Sequence, residues 1–400
     1  MDSLAVALDD IALLLRWAHV VAAIVWVGSA FTLLKLDLAM KPRTQDPAPQ
    51  TLFLNAGAGS RLFRAHDADG AEKALNFKWE AYATWASGFA LFILVFCAAP
   101  RLYLIDPLLW NAAPWAAIAM ALVPLALSWL AYDALCRKSG LSGDALLWAL
   151  FGFSALLALL LTHVFAGRGA YPLIGAHLAT IMTANIAHVV SPAQRRRLAG
   201  LRAGLPADET AAKMAGARAL HNQYLALPTV FFMLSGHAPL LFAGPDNGVA
   251  AVLLIAGFFL IRRIWLKFSR GLGVDPKLGL AAAACLLVAL ALSAPQAPPA
   301  GGQARNAGAA IALALRPGIT EVRQVIDAHC VVCHAAQPQM GGLAHAAGGL
   351  DFTKASEVAL HRDAILRAAV YSRAMPPPGA AAALAADEKN LLVRWASRPD

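Results

Sequence analysis

Eight apolar stretches of about 20 residues each occupy the first three quarters of the chain. A helix of that length crosses the hydrocarbon layer of a membrane, and only helices satisfy their own backbone hydrogen bonds there. With 59% hydrophobic and 14% charged residues, the composition excludes an ordinary soluble domain. The sequence therefore predicts transmembrane helices at 11–34, 81–99, 109–132, 144–164, 170–191, 222–243, 248–266 and 278–294.

The Lys and Arg residues are distributed unevenly between the loops. Twenty of the 33 lie in the loops after the first, third, fifth and seventh stretch, when Arg262 and Arg263 at the end of the seventh are counted with the loop that follows it. The intervening loops hold only Arg101 and Arg168. Cytoplasmic loops of membrane proteins are enriched in Lys and Arg, so both termini are predicted to lie outside. The net charge of +9 reports this topology, and no nucleic-acid partner is predicted.

The composition changes after the eighth stretch. Residues 295–316 are rich in Pro, Gly and Ala and have no helical period, which is typical of a linker. Residues 317–400 are predicted to form a soluble domain. A domain of this size has a small hydrophobic core, so it needs additional stabilisation, such as that from a bound cofactor. We therefore expect an all-α protein, with an eight-helix transmembrane bundle at 1–294 followed by a small all-α domain with helices near 320–330, 355–370 and 385–397.

Cys330, Cys333 and His334 form a C-x-x-C-H motif in this last segment. In such motifs the two thiols bind a haem covalently and the histidine ligates its iron. A zinc site would need a second ligand pair, and the tail offers only isolated His345 and His361. The motif predicts one covalent haem c. Because such haem is attached on the outer face of a bacterial membrane, it also predicts an inner-membrane protein with the N-terminus and the tail in the periplasm.

The second iron ligand is expected from a later loop. Met375, in the segment YSRAMPPPG, follows His334 by 41 residues and lies among prolines that disfavour helix. Met340 and His345 are nearer alternatives. Ligation by Met and His raises the reduction potential of a haem, which suits an electron acceptor. The tail is therefore predicted to be a cytochrome c domain with His334 and Met375 as iron ligands.

Four histidines fall toward the outer ends of the predicted helices, namely His19, His163, His177 and His237. Ionisable groups are costly in hydrocarbon, which makes them functional candidates. Imidazoles from two helices can ligate a b-type haem, with His19 and His237 as the preferred pair and Arg16 near a propionate. The alternative is that each imidazole forms a hydrogen bond to a neighbouring helix. The sequence leaves both open.

A second polar layer falls toward the cytoplasmic ends of the helices. Glu80 and His221 are candidate catalytic residues, because a carboxylate or an imidazole supplies a general base. The candidate substrate-binding residues, which would hold a planar polar ligand, are Lys78, Trp79, Asn222 and Tyr224. In the alternative, Glu80 complements the amino end of its helix, and Lys78 and the aromatic residues lie at the membrane interface.

Several of these segments together resemble one known family. RWAHVVAAIVWVGSAF, NFKWEAYATWASGFALF, TIMTANIAHVVSPAQR and ALHNQYLALPTVFFMLSGHAP, followed by the Pro-rich joint, C-x-x-C-H and AMPPPG, are similar to the membrane-bound urate oxidases fused to cytochrome c. The resemblance covers most of the chain. It implies oxidation of urate to 5-hydroxyisourate without hydrogen peroxide. It also implies that electrons pass through the tail haem to a soluble or membrane cytochrome c and a terminal oxidase.

Two other classes of protein are compatible with parts of the pattern. A tethered cytochrome c that only carries electrons needs one anchoring helix rather than eight with buried histidines. A haem-linked transporter is favoured by broken helices, and few prolines interrupt the apolar stretches. The enzyme is therefore the preferred interpretation.

Overall fold

The structure is a computed structural model that describes residues 3–39, 51–52, 63–64, 78–107, 109–203, 208–293, 318–340, 343, 345–371, 374–378 and 381–396. The described part is nearly all helical, and its strands are two short antiparallel segments, β1 (Thr51–Leu52) and β2 (Phe63–Arg64). The predicted all-α class is confirmed. The predicted linker at 295–316 lies outside the described residues.

The helices that precede the tail have the following bounds: α1 Ser3–Ala39, α2 Lys78–Leu91, α3 Pro100–Tyr103, α4 Pro114–Lys138, α5 Gly143–Val164, α6 Gly167–Asn185, α7 Ser191–Arg202, α8 Glu209–Leu234, α9 Leu240–Ala243, α10 Asn247–Ser269 and α11 Pro276–Leu292. Single π-helical turns extend α2 to Cys97 and α6 to Val190. A 3₁₀ turn, Ser235–His237, lies between α8 and α9.

Within the described residues, six helical segments are long and apolar enough to cross a membrane. They are Asp10–Phe31, Lys78–Cys97, Pro114–Lys138, Gly143–Val164, Gly167–Arg196 and Asn247–Ser269. These correspond to the first five predicted stretches and the seventh. The eighth stretch is the shorter apolar helix α11, of 17 residues.

Helix α8 differs most from the prediction at 222–243. It begins at Glu209, where the Asp208 carboxylate accepts a hydrogen bond from the Ala211 N–H at 3.0 Å, and it ends at Leu234. Its first half carries several polar residues, which a search for apolar stretches overlooks. Two of them, Arg218 and His221, are nevertheless buried, and they pair with side chains of helix α4.

Helix α6 lies at the centre of the bundle, where it packs against α2, α4, α5 and α8. Most of its side chains are buried, and His177 near its middle is fully buried. Arg168 and Asn185 stand at its two ends. At a rise of 1.5 Å per residue, their separation of about 17 positions corresponds to about 25 Å.

The tail folds around its own small core. Its helices are α12 Ile319–His329, α13 Ala355–Leu360, α14 Arg362–Ile365 and α15 Ala386–Ala396. In α12, Val322, Val325 and Ile326 recur at helical spacing and are buried against residues that include Leu392 and Trp395. Helices are therefore confirmed at all three predicted places in the tail, although the second is divided into α13, α14 and a π-helical turn, Leu366–Val370.

Candidate functional site

An ion pair joins α4 and α8 inside the bundle. Arg218 Nη2 lies 2.5 Å from Asp133 Oδ1, and the Arg218 side chain is only 1% exposed. The guanidinium also lies 4.6 Å from the centroid of the Tyr132 ring. The carboxylate and the aromatic ring together offset the free-energy cost of burying this cation.

Hydrogen bonds extend this pair into a larger cluster. Tyr132 Oη lies 2.7 Å from His221 Nδ1, and Asn185 Nδ2 donates to Tyr132 Oη at 3.3 Å and to Asn222 Oδ1 at 3.0 Å. Asn222 Nδ2 donates to the Met182 carbonyl at 3.0 Å. We call the following set the polar network: Trp129, Tyr132, Asp133, Asn185, Arg218, His221 and Asn222.

The polar network is suited to moving a proton. The Tyr132 hydroxyl and His221 Nδ1 share one hydrogen bond, in which the tautomer of the imidazole decides which atom donates. An imidazole in contact with a phenol can accept a proton from a bound ligand and pass one on. The residues lie at the Asn185 end of α6, which is the end opposite Arg168.

The C-x-x-C-H motif forms a tight turn directly after α12. The N–H groups of Cys333 and His334 donate to the Cys330 carbonyl at 3.1 and 2.8 Å. Both thiols are free, and burial raises the pKa of Cys330 to about 12 and also raises that of Cys333. The His334 ring is buried and lies 4.8 Å from the Phe352 ring. Two neutral thiols and an imidazole on one turn fit the covalent attachment of a haem.

Met375 lies in a separate loop that packs on the tail core. Its N–H donates to the Ala368 carbonyl at 2.9 Å, which fixes the loop to the π-helical turn. Met340, the nearer alternative, instead has its sulfur 3.5 Å from the Cys333 thiol. Among the described residues, no group of three or more His, Cys, Asp or Glu could hold a metal ion. A haem iron needs only two protein ligands, so a site of that kind is not required.

A comparison with known families bears on the bundle. The family model described as urate oxidase N-terminal matches residues 5–294. The chain belongs to this family. No curated protein and no solved structure matches it. The match ends where α11 ends, so the urate-related oxidoreductase assignment rests on the bundle, and the tail lies outside it.

On α8 of this urate oxidase family member, the side chains of the consecutive residues HNQY contact different neighbouring residues. His221 and Asn222 belong to the polar network, whereas Gln223 accepts a short hydrogen bond from Arg262 and donates to the Ala30 carbonyl at 3.3 Å. The Tyr224 ring packs 5.4 Å from Phe259. Consecutive helical residues point about 100° apart, so four of them cannot face one ligand.

The other predicted substrate-site residues lie at the start of α2. Lys78 Nζ lies 5.2 Å from the centroid of the Trp79 ring, and Trp79 is exposed. Glu80 has one buried carboxylate oxygen, Oε2, without a hydrogen-bond partner among the described residues. Within the same residues, no hydrogen bond or ion pair joins Glu80 to the polar network.

The two preferred b-haem ligands have different surroundings. His19 Nδ1 lies 2.9 Å from the Thr84 carbonyl and 3.1 Å from Ser87 Oγ. Gly88 leaves room for this ring, because a Cβ there would lie 2.8 Å from His19 Cε1. His237 is exposed at the end of the 3₁₀ turn, and among the described residues no hydrogen bond links it to His19.

Sequence reasoning missed the buried cations. Arg218 and Arg262 were counted as loop charges, but both lie within helices and are almost completely buried. Arg262 lies against the rings of Phe31 and Trp265. One signal was present, since Arg218 precedes His221 by three residues and so shares its helix face. Tyr132 and Asp133 had no comparable signal.

Proposed function

We propose that the chain is a membrane-bound oxidoreductase that converts urate to 5-hydroxyisourate and passes the electrons through one haem c in its tail to a cytochrome c and a terminal oxidase. The observation that carries the proposal is a contact between the two parts. Arg168 of the family-matched bundle donates a hydrogen bond to the Ala374 carbonyl, next to Met375. The part that belongs to the urate oxidase family therefore touches the segment that supplies an iron ligand.

The reaction is balanced by one water molecule. Urate and water yield 5-hydroxyisourate, two protons and two electrons, and a new C–O bond forms at C5. A haem held by Cys330, Cys333, His334 and Met375 would accept one electron at a time. Two successive one-electron transfers to the external acceptor would therefore complete each turnover. No hydrogen peroxide is formed, because oxygen is not the direct acceptor.

We assign His221 or Glu80 as the base that takes a proton from urate. His221 is supported by its bond to Tyr132 and by the other polar groups around it. Glu80 is supported by its unpartnered buried oxygen, which a ligand N–H can satisfy. Asn222 and Tyr224, with Lys78 and Trp79 at the entrance, are the proposed substrate-binding residues.

The proposal includes the complete topology. Eight helices, comprising the six apolar segments with α8 and α11, span a bacterial inner membrane, and the linker at 295–316 carries the cytochrome c domain on the periplasmic side. The polar network is about one helix length from Arg168, roughly 25 Å along α6. A redox cofactor between these two places would divide that distance into shorter electron-transfer steps. A b-type haem on His19 and His237 is therefore included, supported by the hydrogen bonds that orient the His19 ring.

The decisive experiment uses the full-length, oxidised protein without oxygen. Urate is added and the absorption of the c-type haem is followed, with xanthine as a purine control. Reduction by urate alone supports the proposal. Reduction by dithionite but not by urate refutes the proposed enzyme and favours the alternative, a tethered cytochrome c that only carries electrons. A pyridine haemochrome spectrum counts b and c haems, and a spectrum with c alone removes the b-type haem.

A further inference from the structure

Arg168 of the bundle contacts the ligand loop of the tail. Its Nη2 atom lies 3.2 Å from the Ala374 carbonyl oxygen and 3.7 Å from Met375 Sδ. These atoms are separated by more than 200 residues in sequence, so the contact is a tertiary one. It lies at the start of α6, at the opposite end from the polar network.

The backbone holds Arg168 in place from both sides. A Cβ at Gly167 would lie 2.4 Å from the Phe242 carbonyl, and one at Gly169 would lie 2.2 Å from the Tyr103 carbonyl. The Ala166 N–H also donates to the Leu104 carbonyl at 3.0 Å. Only glycine permits such close approach, so the start of α6 is fixed against two other segments. Arg168 therefore projects from a rigid base.

Both contacts of the guanidinium are made to the ligand loop itself. Nη2 lies within 3.7 Å of the Ala374 carbonyl oxygen and of Met375 Sδ, and Met375 is the proposed second iron ligand. One cation of the bundle thus lies beside a predicted ligand of the iron.

A cavity of about 290 Å³ lies beside this contact. Arg168 and residues near Phe242 line it from the bundle, and Ala374 and Pro378 line it from the tail. The ligand loop therefore does not lie flush on the bundle at this point. The Arg168 guanidinium spans this gap with its hydrogen bond to the Ala374 carbonyl.

We propose that Arg168 is a positioning residue that docks the Met375 loop on the bundle and places a fixed positive charge beside the cofactor of the tail. The inference rests on the proposed haem c, and it gives a role to one of the two cations in the loops predicted to lie outside. A positive charge near the iron favours the reduced form, which carries one positive charge fewer. The planar fork of arginine also supplies two directed donors, which lysine lacks.

Two substitutions separate the charge from the hydrogen bonds. Arg168→Lys keeps the charge and loses the fork, whereas Arg168→Gln keeps an amide donor and loses the charge. Arg101→Gln is the matched control, because Arg101 is an exposed cation in a loop predicted to lie on the same side. Midpoint potentials are measured on the full-length protein with chemical reductants, and amide exchange is measured for Ala374 and Met375, because the three prolines that follow have no N–H. Neither measurement needs urate.

For Arg168→Gln we expect the ratio of reduced to oxidised haem at a fixed potential to fall about tenfold, which is about 59 mV for one electron. For Arg168→Lys we expect the potential to stay near wild type, exchange at Ala374 and Met375 to accelerate, and the rate of urate-driven reduction to fall without a change in KM. If both variants match Arg101→Gln in potential and exchange, the proposal is wrong. If urate reduces no variant, the proposed function fails while the potential and exchange still decide the role of Arg168. Should the protein carry no haem c, the charge half of the proposal is overturned and exchange alone decides docking.

Discussion

The Asp133 carboxylate of α4 binds two arginines that differ greatly in burial. Arg218 from α8 lies 2.5 Å away with its side chain 1% exposed, and Arg137 from the same helix as Asp133 lies 2.7 Å away and is 46% exposed. The same acceptor thus takes part in one interhelical pair inside the bundle and one surface pair. The two arginines provide an internal comparison of what burial does to an ion pair.

Arg218→Met should destabilise the bundle by about 1.5–3 kcal/mol, because Asp133 loses its buried partner and keeps only the exposed Arg137. Arg137→Met should cost about 0–1 kcal/mol, since an exposed i,i+4 pair contributes little. Thermal unfolding in detergent measures both. Adding Asp133→Asn to Arg218→Met should recover part of the loss, and equal effects of the two single changes would contradict the role of burial.

Tyr132→Phe should weaken the polar network by about 1–3 kcal/mol, because His221 Nδ1 and an Asn185 donor lose their hydroxyl partner. If His221 is the base, His221→Ala should lower urate-driven haem reduction by about 100-fold or more. Reduction by dithionite should not change. His163→Ala is the control, since that ring is exposed and, among the described residues, forms its hydrogen bond within its own helix, to the Leu159 carbonyl. Wild-type urate kinetics in His221→Ala would clear His221.

Glu80→Gln tests the second candidate base without changing the shape of the side chain. Its Oε2 atom has no hydrogen-bond partner in the described structure, so the loss of charge should leave thermal stability within about 1 kcal/mol of wild type. Urate-driven reduction should fall by at least about 100-fold if the carboxylate takes the proton. An unchanged rate together with a changed melting temperature would mark Glu80 as structural.

Met375→Ala should lower the haem potential and abolish the absorption of a methionine–iron bond, because the iron loses a ligand that favours its reduced form. Met340→Ala is the matched control, as its sulfur contacts the Cys333 thiol in a different part of the tail. Redox titration and visible absorption distinguish the two. The opposite pattern, with Met340→Ala losing the band, would move the ligand to Met340.

The ionisation of Glu388 should make the stability of the tail depend on pH. The Ala385 N–H, at 2.7 Å, and His329, at 2.9 Å, hold the pKa of this carboxyl below its ordinary value of about 4.5. The stabilisation is therefore present above pH 4.5 and is lost as the pH falls through the lowered pKa. Denaturant midpoints of the tail, followed by haem absorption, should fall with acid below that pH. Glu388→Gln should flatten this dependence, whereas the exposed Glu321→Gln should preserve it.

Local sequence determined much of this protein. Long apolar stretches predicted the helices α1, α2, α4, α5, α6 and α10 because a backbone in hydrocarbon must bond to itself whatever its neighbours are. The C-x-x-C-H turn and the helices of the tail were also visible, since spacing alone places these groups on one turn or one face. His221 and Asn222 were predicted to lie in one polar layer, and both belong to the polar network.

Only the tertiary structure decided which polar residues meet. Arg218 and Arg262 looked like loop cations, and their burial became visible once Asp133, Gln223 and aromatic rings from other helices were placed around them. The same holds for Arg168, whose partners at Ala374 and Met375 lie more than 200 residues away. A hydropathy scale assigns each charged residue a free-energy cost of leaving water without regard to the residues around it. The compensation for that cost comes from side chains on other helices, so it depends on helix packing that no local pattern records.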